Sequence, residues 1–213
     1  CIGDNIIKQV SDGYRKLRNT LRYLVGSLSD FDPSTGAVSM DELGSIDKYI
    51  LGKLSSTVGE VQGAYDEYQF YKANQALIAF ANSDLSAFYL DMAKDRLYVS
   101  SKEDPRRRAC QTVIHHLLEQ LAVIMAPIVP HMSEDVWQNL PYPTDAESVF
   151  ERGWPDKGSF PAHEEAYWDK VRLIRNDVNK QIELMRIAKE VGANAECQVY
   201  WRQHHQAGKR RLP

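Results

Sequence analysis

The sequence has little of what would mark a secreted, metal-bound or membrane-spanning protein. Its 213 residues include three cysteines, Cys1, Cys110 and Cys197. These lie far apart, with no CxxC pair and no histidine at zinc-finger spacing, so neither a disulfide framework nor a metal site is expected and a reducing compartment is the simpler setting. No apolar run approaches the roughly 20 residues that span a bilayer. The greasiest stretch, Leu121 to Val129, is broken by Pro127. The chain opens Cys1-Ile2-Gly3-Asp4, without an initiator methionine, a basic n-region or a hydrophobic h-region. No targeting segment is visible, and the expected location is the cytoplasm or an organellar matrix or stroma. There is no GxGxxG, P-loop, HExxH or GxSxG, so no catalytic residue, metal or cofactor is expected. The formal net charge of −3 also excludes a uniformly basic nucleic-acid binder.

What the sequence does have is helical periodicity. From Asp4 to about Leu28, Ile7, Val10, Tyr14, Leu17, Leu21, Leu24 and Leu28 follow one another in steps of three and four, which predicts a first amphipathic helix with Asp4 as N-cap. A second helix is expected from Ser45 to an interruption near Gly63. A third pattern then runs to Leu97, with Asn82-Ser83-Asp84 capping a restart or kink. Asp104-Pro105 is an N-cap followed by proline at the first helical position. It opens a fourth helix, which Pro127 and Pro130 bend or end, and Ser133-Glu134-Asp135 starts a short fifth. The expected fold is mainly α, an up-and-down helical bundle over residues 1–141. An irregular, proline-rich linker packed on the bundle (142–163) follows, then a C-terminal junction unit (164–213). That unit reads as a long helix ended by Gly192, a short strand from Ala195 to Trp201 and a basic tail; a lone strand is unstable, so it looks like a truncated α+β unit.

Positive charge is uneven. Lys8, Arg15, Lys16, Arg18 and Arg22 crowd the first helix, and Lys102, Arg106, Arg107 and Arg108 form a second cluster. Arg15, Arg18, Asn19 and Arg22 are spaced by three and four, which puts them on one face, away from the apolar stripe. Guanidinium groups there can grip phosphates or stack on bases, and an amide can read a base edge; a solvated charged face would look the same, and the pattern alone leaves both open. Arg106, Arg107 and Trp154 are secondary RNA-binding candidates, although Trp154 reads first as a hydrophobic plug. His115 and His116, adjacent on a helix, point about 100° apart and are read as structural. Asp91, Lys94, Asp95 and Arg96 are read as local ion pairs. Tyr65, Tyr68, Phe70, Tyr71, Phe80, Phe88 and Tyr89 are read mostly as core.

Several longer words together resemble one family. Val10-Ser11-Asp12-Gly13-Tyr14-Arg15-Lys16-Leu17-Arg18-Asn19-Thr20, followed by Arg22, is similar to the opening helix of the anticodon-binding domain of isoleucyl-tRNA synthetases, class Ia enzymes. Asp84-Leu85-Ser86-Ala87-Phe88-Tyr89-Leu90-Asp91 with Lys94-Asp95-Arg96-Leu97-Tyr98 resembles its third-helix signature. Ala126-Pro127-Ile128-Val129-Pro130-His131, Glu147-Ser148-Val149 and Trp154-Pro155 follow in the family's order, and Val178-Asn179-Lys180, Arg186, Lys189 and Gly192 look like its junction region. The resemblance implies a bundle that grips the anticodon stem and loop of isoleucine tRNA through Arg15, Lys16, Arg18, Asn19 and Arg22. It also implies a second partner, the catalytic domain of the same synthetase, which activates isoleucine with ATP. The HIGH-type and KMSKS-type words, the editing domain and the terminal zinc-binding cysteines are absent from these residues, so the chain alone is expected not to aminoacylate. Arg202 to Pro213 follows no family pattern. The equivalent domain of a valine or leucine synthetase, and a helical scaffold for protein partners, are the alternatives.

Overall fold

The computed structural model describes residues 3–193 and 196–200. The chain divides into two compact units, residues 1–165 and 166–213. The first is a helical bundle of α1 (Asp4–Ser27), the short α2 (Pro33–Gly36), α3 (Ser45–Asp66), α4 (Phe70–Ala79), α5 (Leu90–Tyr98), α6 (Pro105–Met125) and α7 (Pro130–Gln138). A π-helical segment, Phe80–Tyr89, joins α4 to α5 without a break. The mainly helical fold read from the apolar periodicity is present, and the core is a single cluster to which α1 and α3 to α7 all contribute.

Along α1 the apolar stripe outruns its neighbours. Leu17, Leu21 and Leu24, then Leu28, are buried, but Ile7, Val10 and Tyr14 are exposed. A repeat of three and four locates a stripe on a helix; it does not say how far the packing partners extend. Gly3 is the N-cap, and Asp4 is the first helical residue, where a carboxylate still favours the positive end of the helix dipole.

Three other boundaries fall elsewhere than the sequence suggests. α3 runs through Gly63 to Asp66, and the chain turns at Tyr68, which takes the left-handed conformation at φ 58°. The Gln69 amide there donates to the Ala64 carbonyl at 2.7 Å, satisfying one of the orphan acceptors at the helix end. Asn82-Ser83-Asp84 does not restart a helix. The backbone widens to π winding, which buries Phe80, Ala81, Leu85, Phe88 and Tyr89. α7 begins at Pro130, not at Ser133, which is buried inside it. At α6 the expected start is found: the Asp104 carboxylate accepts from the Arg106 amide at 2.8 Å, with Pro105 behind it.

A buried polar network ties three elements together. Asp47 on α3, 2% exposed, receives a bidentate pair from Arg96 on α5 at 2.8 and 3.0 Å and the Tyr89 hydroxyl at 2.7 Å. The Tyr89 hydroxyl also lies 3.7 Å from the Cys110 sulfur on α6. Burial pushes the Tyr89 phenol up and raises the Cys110 thiol to about 11. Burial disfavours charge on Arg96, but its bonds to Asp47 outweigh that and hold it ionised. Asp91 and Lys94 do pair locally, at 2.9 Å; Arg96 instead reaches across to α3.

Between α7 and residue 164 the chain has no regular structure, yet it is fastened to the helices. Trp137 Nε1 donates to the Ala146 carbonyl at 3.0 Å, and Glu134 accepts from the Ser148 hydroxyl and the Val149 amide at 2.9 and 3.0 Å. Gln62 holds the Pro155 carbonyl at 2.7 Å. Gly52 of α3 lets the segment approach so closely that an added Cβ would lie 2.9 Å from the Pro161 carbonyl oxygen. In the second unit, α8 covers Glu165–Ile187. It ends before Gly192, at a left-handed Lys189 with φ 59°, where the Glu190 amide closes on the Met185 carbonyl at 2.9 Å. Among the described residues there is no strand. Of the strand expected over Ala195 to Trp201, both ends lie outside the described residues, and 196–200 has no neighbouring strand to pair with. The basic tail lies outside them entirely.

Candidate nucleic-acid interface

The exposed side of α1 carries Arg15, Lys16, Arg18, Asn19 and Arg22, and the opposite side buries Leu17, Thr20, Leu21 and Leu24. Amphipathicity therefore aims the cations outward. The helix is also pinned in rotation. The Thr20 hydroxyl bonds the Lys16 carbonyl at 3.0 Å and lies 3.0 Å from the Ser86 hydroxyl of the π segment. Arg15 pairs with Asp12 at 3.2 Å, both side chains largely in solvent; such a pair contributes at most about 1 kcal/mol and exchanges readily for another anion. Lys16, Arg18 and Arg22 make no ion pair among the described residues. Arg18 and Arg22 are thus uncommitted cations on one face with the loosely paired Arg15 and the Asn19 amide, and Lys16 is a third uncommitted cation on the opposite flank of the helix.

The second basic cluster divides. Arg106 is 77% exposed and pairs only with its own N-cap residue Asp104, at 3.2 Å. Arg107 is 14% exposed and bound at both nitrogens to Asp30, at 2.5 and 3.0 Å, and at Nε to the Leu97 carbonyl at 3.2 Å. Arg108 turns inward as well, donating to the Asp30 carbonyl and to Gln111. The Arg107 guanidinium, with help from Gln111, holds the Asp30 carboxyl at about 2, against the desolvation that would raise it. The structure gives Arg107 and Arg108 a bracing role between the start of α6 and the turn after α1. No local pattern reveals this, since Asp30 and Arg107 are 77 positions apart.

Where α1 meets the α5–α6 connection, Arg22, Tyr23, Tyr98 and Arg107 line a cleft of about 370 Å³. Tyr98, at the end of α5 and beside Tyr23 of α1, was not among the candidates singled out by charge pattern. Trp154 is 44% exposed and stands edge-on to Tyr65, ring centroids 5.4 Å apart. It is part plug and part surface, at the rim of a smaller cleft with His116, Glu119 and Gln120.

The aromatic series separates by position. Phe80, Phe88 and Tyr89 are buried as expected; Tyr68, Phe70 and Tyr71 are exposed. These last three sit at the turn between α3 and α4, where a helical wheel carried across the break no longer reports burial. Phe70 joins Tyr65 at 5.4 Å and Tyr68 at 6.1 Å. His115 is structural: its Nδ1 lies 2.7 Å from the Tyr142 hydroxyl, and burial, then the neighbouring His116, lower it to about 4. Burial lowers His116 as well.

Comparison with known proteins adds family membership to this geometry. The family profile described as "Anticodon-binding domain of tRNA ligase" matches residues 47–201. The chain is 46% identical over 205 residues to the isoleucine–tRNA ligase of Prochlorococcus marinus, a match covering 92% of this chain and 20% of that protein. It is 46% identical over 202 residues to that of a Cyanothece species, and 47% identical over 200 residues to that of Crocosphaera subtropica, each covering 93% of this chain and 21% of the relative. The chain spans about a fifth of the length of these curated relatives.

Proposed function

Because the chain belongs to the family of anticodon-binding domains of tRNA ligases, we propose that it is the tRNA-recognition portion of an isoleucine–tRNA ligase, gripping the anticodon stem and loop through the exposed face of α1. The observation that carries this reading is the exposed face of Arg15, Arg18, Asn19 and Arg22 on a rotationally pinned helix, with Arg18 and Arg22, and Lys16 on the flank beside them, making no ion pair among the described residues. Cations already neutralised by carboxylates gain little from a phosphate; these three retain their full attraction for one. Arg15 joins them when RNA displaces Asp12, and Asn19 can donate to and accept from a base edge or a ribose hydroxyl. Arg106 is a further phosphate contact, and Trp154, half-exposed, is a stacking surface. Arg107 contributes indirectly, by fixing the turn after α1.

In this proposal the complete polypeptide attaches isoleucine to its tRNA at the expense of ATP, with catalysis performed by a domain outside these 213 residues. The names of the relatives support isoleucine as the amino acid. No described helix is long and apolar enough to cross a membrane.

Filter retention of isoleucine tRNA and of a non-cognate tRNA across a salt series tests the reading. Three to four phosphate contacts predict a log–log salt slope of about −2 to −4. Arg18→Ala should weaken binding and reduce the slope by about one. Negligible retention of both tRNAs at low salt refutes RNA recognition; preference for valine or leucine tRNA reassigns the domain to those synthetases.

A further inference from the structure

The side of α6 that faces the irregular segment carries a carboxylate where packing would favour an apolar side chain. His116, Glu119 and Val123 lie three and four apart, on one face of the helix. With Arg152, Trp154 and Asp156 of the segment they line a cleft of about 250 Å³. Glu119 is 24% exposed, and its one ion-pairing neighbour among the described residues is His115 Nδ1, at 3.8 Å. Burial keeps that ring neutral at neutral pH, and its Nδ1 already meets the Tyr142 hydroxyl at 2.7 Å. No described donor hydrogen-bonds the Glu119 carboxylate. Asp47 and Asp30, 2% and 19% exposed, by contrast each accept three hydrogen bonds. Burial accordingly raises the Glu119 carboxyl, with Arg152 opposing the shift and Asp145 reinforcing it. Arg152 is engaged elsewhere, its Nε 3.3 Å from the Asp145 carboxylate. A largely buried carboxylate without a donor is costly enough to call for a partner.

The lining selects the partner's chemistry. Trp154, 44% exposed, can stack on a base or on a guanidinium, but the carboxylates of Glu119 and Asp156 beside it repel a phosphate and attract a cation. A guanidinium is flat and weakly hydrated, stacks on an aromatic ring and meets a carboxylate through two parallel N–H groups; an ammonium is compact and strongly hydrated. The volume of about 250 Å³ lies below the roughly 300–1,000 Å³ of small-molecule sites, which suits one side chain. We propose that the cleft receives an arginine side chain from the part of the ligase polypeptide outside these 213 residues, its guanidinium paired with Glu119 and lying against Trp154. In the relatives the matched portion is about a fifth of the polypeptide. A contact made by one side chain has a dissociation constant of roughly 1–10 mM, so it fills only when the arginine is tethered nearby, at an effective concentration of about that size. The source of the arginine rests on the reading of this chain as one portion of a longer ligase; the preference for a guanidinium does not.

The chain is titrated at low salt with acetyl-arginine amide and with its lysine and citrulline analogues, following the Gly153 amide and the Trp154 indole N–H by NMR. Arginine should shift both signals saturably, lysine more weakly, and citrulline, similar in shape but neutral, not at all. Glu119→Gln should weaken arginine binding at least about tenfold through loss of the charge-assisted pair. Trp154→Leu, followed at Gly153, should weaken it about 2- to 30-fold. Because glutamine removes a buried charge that has no partner, the urea midpoint of Glu119→Gln should equal or exceed that of wild type. A lower midpoint identifies a structural ion pair and overturns the proposal. Binding that appears only in Arg152→Gln shows that Arg152 fills the cleft and overturns it too, as do equal affinity for citrulline, unchanged binding by Glu119→Gln or no saturable shift. Signals that answer to isoleucine tRNA and not to arginine amide return Trp154 to RNA and likewise overturn it. In the complete ligase, carrying fluorine-labelled tryptophan, the Trp154 resonance should no longer respond to arginine amide; a full response there overturns an arginine from the same polypeptide. Failure of tRNA retention by the isolated chain would remove the RNA-binding face and leave the arginine titration to be decided on its own result.

Discussion

Replacing Asp47 by alanine tests whether the buried network holds the bundle's three central elements in place. The carboxylate is 2% exposed and accepts three hydrogen bonds, two from Arg96 and one from Tyr89. Its removal strands a guanidinium that is itself only 21% exposed and leaves the Tyr89 hydroxyl with nothing but a sulfur at 3.7 Å. Breaking a buried ion pair from one side costs about 3–5 kcal/mol. With a urea m-value of about 2 kcal/mol/M, the midpoint should fall by about 1.5–2.5 M. Urea titration followed by far-UV circular dichroism gives this number. The double variant Asp47→Leu with Arg96→Met is the control, since an apolar pair leaves no buried charge behind and should lose less than Asp47→Ala alone. A cost under about 1 kcal/mol for Asp47→Ala, or a double variant less stable than the single one, refutes this role for the buried network.

Two further outcomes follow from burial and close approach. His115 is lowered from 6.5 to about 4 by burial first and His116 second, so the unfolded chain binds its proton more readily than the folded one. The corresponding stability, about 3 kcal/mol at most, is fully present above pH 6.5 and declines as pH falls from 6.5 towards 4. Urea midpoints measured across that window should fall less steeply in His115→Gln, and equal slopes would count against the assignment. In Gly52→Ala the new methyl lies 2.9 Å from the Pro161 carbonyl oxygen and 3.2 Å from the Ala162 Cα, both backbone atoms. Overpacking of this kind costs about 1–3 kcal/mol, which thermal unfolding would register as a lower melting temperature; an unchanged one would mean the 161–163 segment is not held against α3.

The bundle was legible because its signals are local. Apolar steps of three and four, and a cap such as Asp104-Pro105, depend on residues within a turn or two of each other. The outward face of α1 was legible for the same reason. What could not be read depends on distance in the chain. Nothing near Ile7 or Val10 reports that α1's partners stop short of them. Nothing near Arg107 announces an aspartate on a different helix junction, so one basic cluster in the sequence became an exposed Arg106 beside a buried brace. Nothing near Tyr98 in the sequence reports that it stands 70% exposed at the end of α5, beside Tyr23 of α1. Helix breaks were hard for another reason: Gly63 and Gly192 could have ended helices, but Tyr68 and Lys189 took the left-handed conformation instead, a choice made by the path of the chain after the helix.

The π segment works as a phase shifter. An α-helix advances about 100° per residue, so a rod with constant winding that places Ser86 against Thr20 would fix the bearing of every later side chain. The wider turns of Phe80–Tyr89 reset that bearing. The same rod then faces α1 at Ser86 and α3 at Tyr89 and Arg96. Orientation of the cationic helix and closure of the buried network are thereby set by one number, the count of residues in a single stretch of backbone. Losing one residue between Ser86 and Tyr89 would swing Arg96 about a quarter turn away from Asp47 while leaving Thr20 and Ser86 in register, so the length of this stretch is constrained more tightly than its side chains are.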